Sequence, residues 1–332
     1  MKYQIEMLDV GGADCFIINY YDKLNQSHLV LVDAGNYSDG DKIIKHMNRY
    51  YPNKDIDLAI ISHPDKDHFG GFVYLLEKLS EEKYNAISIN RFVVNDPGNH
   101  IKADDVKYRR SDFRTQEEAR SVYTIDQHEN LLDLIDSLDI DREEWLVTSK
   151  SNDTKNQHFF VLGPTLDYFE ELVPNLRHDL EPIEESEQKF YSKSDEPRDI
   201  DSVKDDDSSH NASSLIFLFL PEGEEGIKFL FTGDATRDSF NRILLSDYLK
   251  NCYWMKVPHH GSIHNLTTDL IEQINPSVAY ISAPGNDKHP ATEIIDELKK
   301  CEAKVYSTHH NGNLLYRSGT SSRPGWKSAK PL

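Results

Sequence analysis

The chain has 332 residues, with 37 Lys or Arg and 57 Asp or Glu, so its formal net charge is −20. This length allows one large α/β domain or two small ones. The acidic excess argues against a protein that coats long nucleic acid, because such proteins present a basic face to the phosphates. No apolar run is longer than residues 215–220, far below the roughly 20 residues of a membrane-spanning helix, so we expect no membrane span.

The N-terminal sequence and the cysteine spacing indicate the same cellular compartment. The first residues show no apolar signal region, and the three cysteines, Cys15, Cys252 and Cys301, are widely spaced. They form neither a disulfide framework nor a thiolate metal site. We therefore expect a cytoplasmic protein.

Strand and helix patterns alternate along the chain. In the first half we predict strands at 3–10, 15–20, 28–33, 58–61 and 87–94, and helices at 41–50, 72–79 and 121–138. In the second half we predict strands at 159–162, 214–220, 227–231, 252–257 and 277–282, and helices at 238–249 and 291–300. This alternation favours an α/β fold.

One segment differs in composition from the rest. Residues 165–209 contain 15 acidic and 5 basic residues, so half of the net negative charge lies there. We interpret it as an acidic insertion within a single domain that spans residues 1–332. This insertion and the region 95–145 are the predicted places for a protein partner, while the oligomeric state is left open.

Residues 61–71 contain the most informative motif. It follows a predicted buried strand and places His63, Asp65, Asp67 and His68 within six positions. Imidazole and carboxylate together suit zinc, manganese or iron. Burying these groups without a cation would be costly, so a mere cluster of ion pairs is the weaker interpretation.

Further polar residues stand at the ends of predicted strands. Asp33, Asp234 and the pair His259 and His260 each follow an apolar run. Taken alone, each is more typical of a turn or a helix cap. Strand ends are also where α/β folds build their sites, and one aspartate between two histidine-bearing loops could bridge two metal ions.

The run Ser62-His63-x-Asp65-x-Asp67-His68-x-Gly70-Gly71 resembles the signature of the metallo-β-lactamase fold superfamily. That signature usually reads His-x-His-x-Asp-His. Asp65 replaces the second histidine, a variant found in the metallohydrolase domain of ComEC-type competence DNA-uptake proteins and their free-standing relatives. Further segments that resemble this branch occur, in chain order, at 31–35, 211–215, 231–234, 256–262, 281–290 and 311–313.

The resemblance implies a four-layer αββα sandwich with metal at one edge of its two sheets. It implies the metal ligands His63, Asp65, Asp67, His68, Asp234 and His259. Asp234 would bridge, and His259 is preferred to His260 because it comes first after the strand. The implied cofactor is one or two divalent ions, zinc in the first place and manganese as the alternative.

The resemblance also implies supporting and catalytic residues. Asp33 would order the ligand loop from behind. His210 or Asn211 stands near the position of a further ligand histidine of the superfamily. The implied catalytic residues are Asp67, His260 and His289. For His289, an equally good interpretation is a loop histidine that caps a helix.

The predicted activity is hydrolysis by a metal-activated water, on a phosphodiester, as in a nuclease or phosphodiesterase. A hydrolase of small esters or lactams is the first alternative, favoured by the acidic excess. A binding or signalling subunit of a defence-like assembly is the second.

Overall fold

The computed structural model describes residues 1–81, 87–100, 130–148, 158–176, 199–286, 288–323, 326 and 328–332. Large parts of the two predicted partner regions, 101–129 and 177–198, therefore lie outside the described residues. The first half of the predicted helix 121–138 lies outside them as well, and residues 130–137 are helical.

The strands and helices alternate as predicted. The strands are β1 Tyr3–Met7, β2 Cys15–Tyr21, β3 Ser27–Ala34, β4 Leu58–Ile60, β5 Arg91–Val93, β6 Asp141–Glu143, β7 Phe159–Gly163, β8 Ile216–Phe219, β9 Phe229–Phe231, β10 Trp254–Lys256, β11 Val278–Ile281, β12 Lys304–Ser307 and β13 Leu314–Ser318. The helices are α1 Gly40–Tyr50, α2 Lys66–Ser80, α3 130–137, α4 Leu166–Leu172, α5 Ser209–Ala212, α6 Arg237–Asn241, α7 Thr268–Ile274, α8 Thr292–Lys300 and α9 Thr308–Asn311.

Two mixed sheets form the centre of the fold. The first has the order β13-β1-β2-β3-β4-β5-β6 and is parallel from β3 to β6. The second has the order β12-β11-β10-β9-β8-β7 and is parallel from β9 to β12. In both, the carboxyl ends of the parallel strands lie at one edge, which is where loops can build a site.

Alternating side chains divide the core into layers. In β2, Phe16 and Ile18 pack between the two sheets with Phe231 and Trp254 of the second sheet. Their neighbour Ile17 faces outward, into a cluster shared with α1 and α2. On the far side, α7 and α8 cover the second sheet. The helix–sheet–sheet–helix order confirms the predicted αββα sandwich.

A glycine sets the distance between α2 and the first sheet. A Cβ atom on Gly71 would lie 1.9 Å from the carbonyl oxygen of Ala34, the last residue of β3. The Gly71 N–H donates to the carbonyl of Gly35 at 3.0 Å. No side chain fits here, so the start of α2 packs directly on the end of β3.

The predicted helix 238–249 is wrong as a single element. The chain forms the short α6 and then a separate 3-10 turn at Ser246–Leu249. Ser and Asp side chains at 246 and 247 favour turns over helix interiors, because they bond to nearby backbone groups. The sequence interpretation also omitted several short elements, namely β6, β12, β13, α4, α5, α7 and α9. Within the described ranges, no helix combines the length and apolar character needed to cross a membrane.

Candidate metal centre

The polar strand ends converge at one edge of the two sheets. Asp33 lies near the end of β3, and the loop 63–68 joins β4 to α2. Asp234 follows β9, while His259 and His260 follow β10. Asp33, His259 and His260 adopt the left-handed backbone region, with φ between 46° and 53°. Such strained positions in non-glycine residues cluster at functional sites.

A first group of potential ligand atoms surrounds the His63 ring. His63, His68 and Asp234 offer ligand atoms that all lie within 4.8 Å of one another. The Nε2 atom of His68 is 3.4 Å from Oδ2 of Asp234, and the His63 and His68 rings are 4.0 Å apart. Asp65 joins this group, with its Oδ2 3.4 Å from Nε2 of His63.

A second group lies on the other side of Asp234. Asp67, His68 and His260 also offer ligand atoms within 4.8 Å of one another. The Nε2 atom of His260 is 3.3 Å from Oδ2 of Asp67 and 3.8 Å from Oδ2 of Asp234. Asp234 thus adjoins both groups, as a bridging ligand would.

Hydrogen bonds orient the imidazole rings for metal binding. The Nδ1 atom of His68 is 2.8 Å from Oδ2 of Asp33, and Nδ1 of His260 is 3.0 Å from the carbonyl oxygen of Ser282. Because both oxygens accept, both Nδ1 atoms carry the proton, and each Nε2 of a neutral ring keeps its lone pair. The buried Nε2 atoms of His63 and His68 make no hydrogen bond. Lone pairs aimed among carboxylates fit a divalent cation.

Replacing Asp33 with asparagine should weaken metal binding about 10- to 100-fold, the usual effect of losing a carboxylate behind a ligand histidine. Both Asp33 oxygens accept hydrogen bonds, from the backbone and hydroxyl of Ser62 and from His68. An amide group would turn a donor toward one of these donors and disturb the His68 tautomer. Competition with a chelator measures the affinity. Asp57→Asn is the matched control, because Asp57 accepts from Leu29 at the other end of β3. An unchanged affinity in Asp33→Asn would show that Asp33 does not support the ligands.

The electrostatics of the site favour the binding of a cation. Burial works to raise the carboxyl pKa values of Asp65 and Asp234, but neighbouring cationic groups hold both well below the ordinary value. For Asp65 the main such group is His210, and for Asp234 it is Lys256. Burial lowers the pKa of His68, yet Asp234 and the other carboxylates raise it well above its usual value. The site therefore holds its carboxylates ionised, as ligands must be.

His259 lies outside both groups of converging ligand atoms. Its Nδ1 atom is 3.1 Å from Oδ2 of Asp206 and 3.2 Å from Oδ1 of Asn265. Asn211 donates to the same Asp206 oxygen at 2.8 Å. The ring of His259 stacks on that of His289, with centroids 5.6 Å apart. The geometry favours His260 over His259 as a ligand, and the ligand role of His259 stays a prediction.

His210 contacts the ligand residue Asp65. One ring nitrogen, Nδ1, is 2.6 Å from Oδ1 of Asp65, and the other, Nε2, is 2.6 Å from the carbonyl oxygen of Leu176. With both nitrogens engaged, the ring supports Asp65 instead of pointing at the bridging carboxylate. It also ties the ligand loop to the chain that follows α4.

Sequence reasoning missed two buried charged residues behind the centre. Asp14 and Lys256 are both fully buried and form an ion pair of 2.5 Å. A lysine within an apolar strand, Trp254-Met255-Lys256-Val257, is a signal that could have identified one of them, because a buried ammonium needs a carboxylate partner. Asp206 and Asn265 gave no such signal, since polar residues in loops are ordinary.

Comparison with known proteins agrees with this geometry. Residues 8–154 match the family model of the metallo-beta-lactamase superfamily, which confirms the resemblance carried by residues 62–71. The chain is also similar to ComE operon protein 3 of Bacillus subtilis (strain 168), at 22% identity over 331 residues. The similarity covers 95% of this chain and 33% of that relative. The chain thus spans about a third of the length of the curated relative it matches.

Proposed function

We propose that this chain is a metal-dependent hydrolase that acts on phosphodiesters, as a nuclease or phosphodiesterase, because residues 8–154 match the family model of the metallo-beta-lactamase superfamily. The observation that carries the proposal is the convergence of His63, His68 and His260 with ionised carboxylates around Asp234. The variant motif with Asp65, which resembles the ComEC-type branch, supports a phosphodiester in particular.

We further propose that the centre holds two divalent cations. Five carboxylates line it or stand directly behind it: Asp14, Asp33, Asp65, Asp67 and Asp234. Lys256 forms ion pairs with two of them, Asp14 and Asp234. Such an excess of buried negative charge requires cations for its stability. The two groups of ligand atoms have His68 in common, and Oδ2 of Asp234 lies 3.4 Å from Nε2 of His68 and 3.8 Å from Nε2 of His260, so Asp234 stands where a carboxylate could bridge two ions.

Different residues of the chain would have different roles in hydrolysis. A divalent cation bound there acidifies a water molecule and polarises a phosphoryl oxygen. Asp67 is the most accessible carboxylate of the set, with 31% of its side chain exposed, so it can orient the water and accept its proton. His260 would serve as a ligand through Nε2. His289, buried and stacked on His259, is proposed to contact an oxygen of the substrate.

A small, neutral or cationic substrate is the competing proposal. Asp206 comes from the acidic segment 165–209 and reaches His259 beside the centre. Burial raises the pKa of Asp206, yet His259 and Asn211 hold it at about 2, so this carboxylate is charged at neutral pH. A negative charge here would disfavour a polyanion and favour a small ester or lactam.

A substrate panel separates these proposals. The purified chain, stripped with a chelator and reloaded with zinc or manganese, is assayed on bis-nitrophenyl phosphate, single-stranded DNA, duplex DNA and nitrocefin. We expect hydrolysis of the phosphodiesters that disappears with the metal and returns on reloading. A metal-loaded protein that cleaves nitrocefin or small esters and leaves every phosphodiester intact would overturn the proposal.

A further inference from the structure

The ammonium group of Lys256 occupies a cage of oxygen atoms behind the metal centre. Its Nζ atom is 2.5 Å from Oδ2 of Asp14, 2.9 Å from Oδ1 of Asp234 and 2.5 Å from the carbonyl oxygen of Gly233. The contacts with Gly233 and Asp234 are hydrogen bonds that the ammonium donates, and the contact with Asp14 is an ion pair. Lys256 is only 1% exposed, so water does not compete for these contacts.

This cage determines which oxygen of Asp234 is available to a metal. Oδ1 accepts from Lys256 and also from the backbone N–H of His259 at 3.2 Å. Oδ2 faces the other way and lies 3.4 Å from Nε2 of His68 and 3.8 Å from Nε2 of His260. One oxygen is thus held by the protein, and the other is left for the centre.

Asp14 ties this arrangement to the rest of the fold. Its carboxylate is fully buried, its N–H donates to the carbonyl of Asp67 at 3.1 Å, and its carbonyl accepts from Gly35 at 2.7 Å. Since Asp14 is anchored by its backbone to the ligand loop, it fixes the position of the Lys256 ammonium. A charge-assisted bond from that ammonium in turn fixes the rotamer of Asp234.

We propose that Lys256 is a positioning residue that holds Oδ1 of Asp234 and thereby keeps Oδ2 directed toward His68 and His260, where it would be available to a metal ion. The inference rests on the proposed function, because it assumes metal binding at Asp234. If Lys256 is absent, Oδ1 is released and Asp234 can turn, so the geometry shared by the two groups of ligand atoms is lost. The ion that depends on the bridge should then bind more weakly.

The test removes the ion pair between Asp14 and Lys256 by replacing both partners, so neither of these two charges is left buried without the other. Asp14→Asn keeps Lys256 on Asp234, whereas Asp14→Asn/Lys256→Met removes the charges of the pair and its donor to Asp234 while nearly conserving volume. Zinc content is measured by elemental analysis, zinc affinity by chelator competition, and folding by circular dichroism. We expect both variants to fold. The double variant should bind its second equivalent of zinc at least about 10-fold more weakly than Asp14→Asn.

Lys228→Met is the matched control, because Lys228 precedes β9 at the opposite edge and its ammonium meets the backbone carbonyl of Tyr248 at 2.9 Å. It should bind zinc as the wild type does. Equal zinc affinity and stoichiometry in the double variant and Asp14→Asn would overturn the inference and leave the proposed function standing. A wild-type protein that binds no zinc or manganese would overturn both.

If the double variant does not fold, cobalt(II) titration of Lys256→Arg tests the positioning role of Lys256. Arginine keeps the charge, but its planar fork cannot direct three donors to these converging oxygens. We then expect a changed cobalt absorption spectrum and a weaker second equivalent. An unchanged spectrum with two equivalents bound at wild-type affinity would count against the inference.

Discussion

Replacing His63 with alanine should remove bound metal and lower hydrolysis about a thousandfold while leaving the metal-free protein folded. Loss of a metal ligand costs several kcal/mol of transition-state stabilisation, and each 1.4 kcal/mol is about a factor of ten in rate. The Nε2 atom of His63 is buried without a hydrogen bond, so the metal-free protein loses no satisfied partner there. Elemental analysis, the substrate assay and thermal unfolding with and without zinc measure these effects.

His28→Ala is the matched control for the loss of a histidine. His28 lies near the start of β3, at the end opposite Asp33, and its ring stacks on Tyr20. Zinc content and hydrolysis should stay at the wild-type level in this variant. Full activity in His63→Ala would remove His63 from the metal centre. Loss of folding in the metal-free variant would contradict the structural argument that His63 is dispensable for stability.

Replacing Arg323 with alanine should lower the free energy of unfolding by about 3 kcal/mol, because it leaves a buried carboxylate without its main cation. The guanidinium holds both oxygens of Glu6 at 2.6 Å and also donates to Gln4 at 2.7 Å. Glu6 is fully buried, and Tyr51 donates to the same Glu6 oxygen that accepts from Nη2 of Arg323. Chemical denaturation measures the loss.

Arg317→Ala provides the control within the same segment. Arg317 is exposed and donates a hydrogen bond to the backbone oxygen of Thr320, so the change should stay within about 0.5 kcal/mol. Equal stabilities of the two variants would refute the role of Arg323.

The contribution of Glu6 to the free energy of unfolding also depends on pH. Burial raises the pKa of Glu6, but His46 and Arg323 hold it below its ordinary value. A carboxyl group with a depressed pKa stabilises the fold above the unfolded pKa of about 4.3, and this stabilisation is lost as the pH falls through the folded pKa. The difference between wild type and Arg323→Ala should therefore be present at pH 7 and shrink in acid.

The strands and helices that were predicted correctly share a regular local pattern of apolar residues. Long strands such as β2 and β3 alternate between two buried faces, and α1 carries one apolar stripe, so local periodicity reports them directly. The omitted strands β6 and β12 have three and four residues. Their pattern is too short to show a period, and pairing with a neighbouring strand decides their conformation. The break between α6 and the turn at Ser246–Leu249 likewise depends on packing.

The amino-acid sequence by itself determined the α/β class through its alternating patterns, and the resemblance carried by the motif 62–71 implied the sandwich and predicted the types of ligand, because that motif and the polar strand ends are local features. Only the tertiary structure distinguishes the surroundings of His259 and His260, since two adjacent left-handed residues send their rings to different partners, Asp206 and Asp67. Only the tertiary structure reveals the ion pair between Asp14 and Lys256, because a strand pattern does not predict which distant carboxylate neutralises a buried lysine.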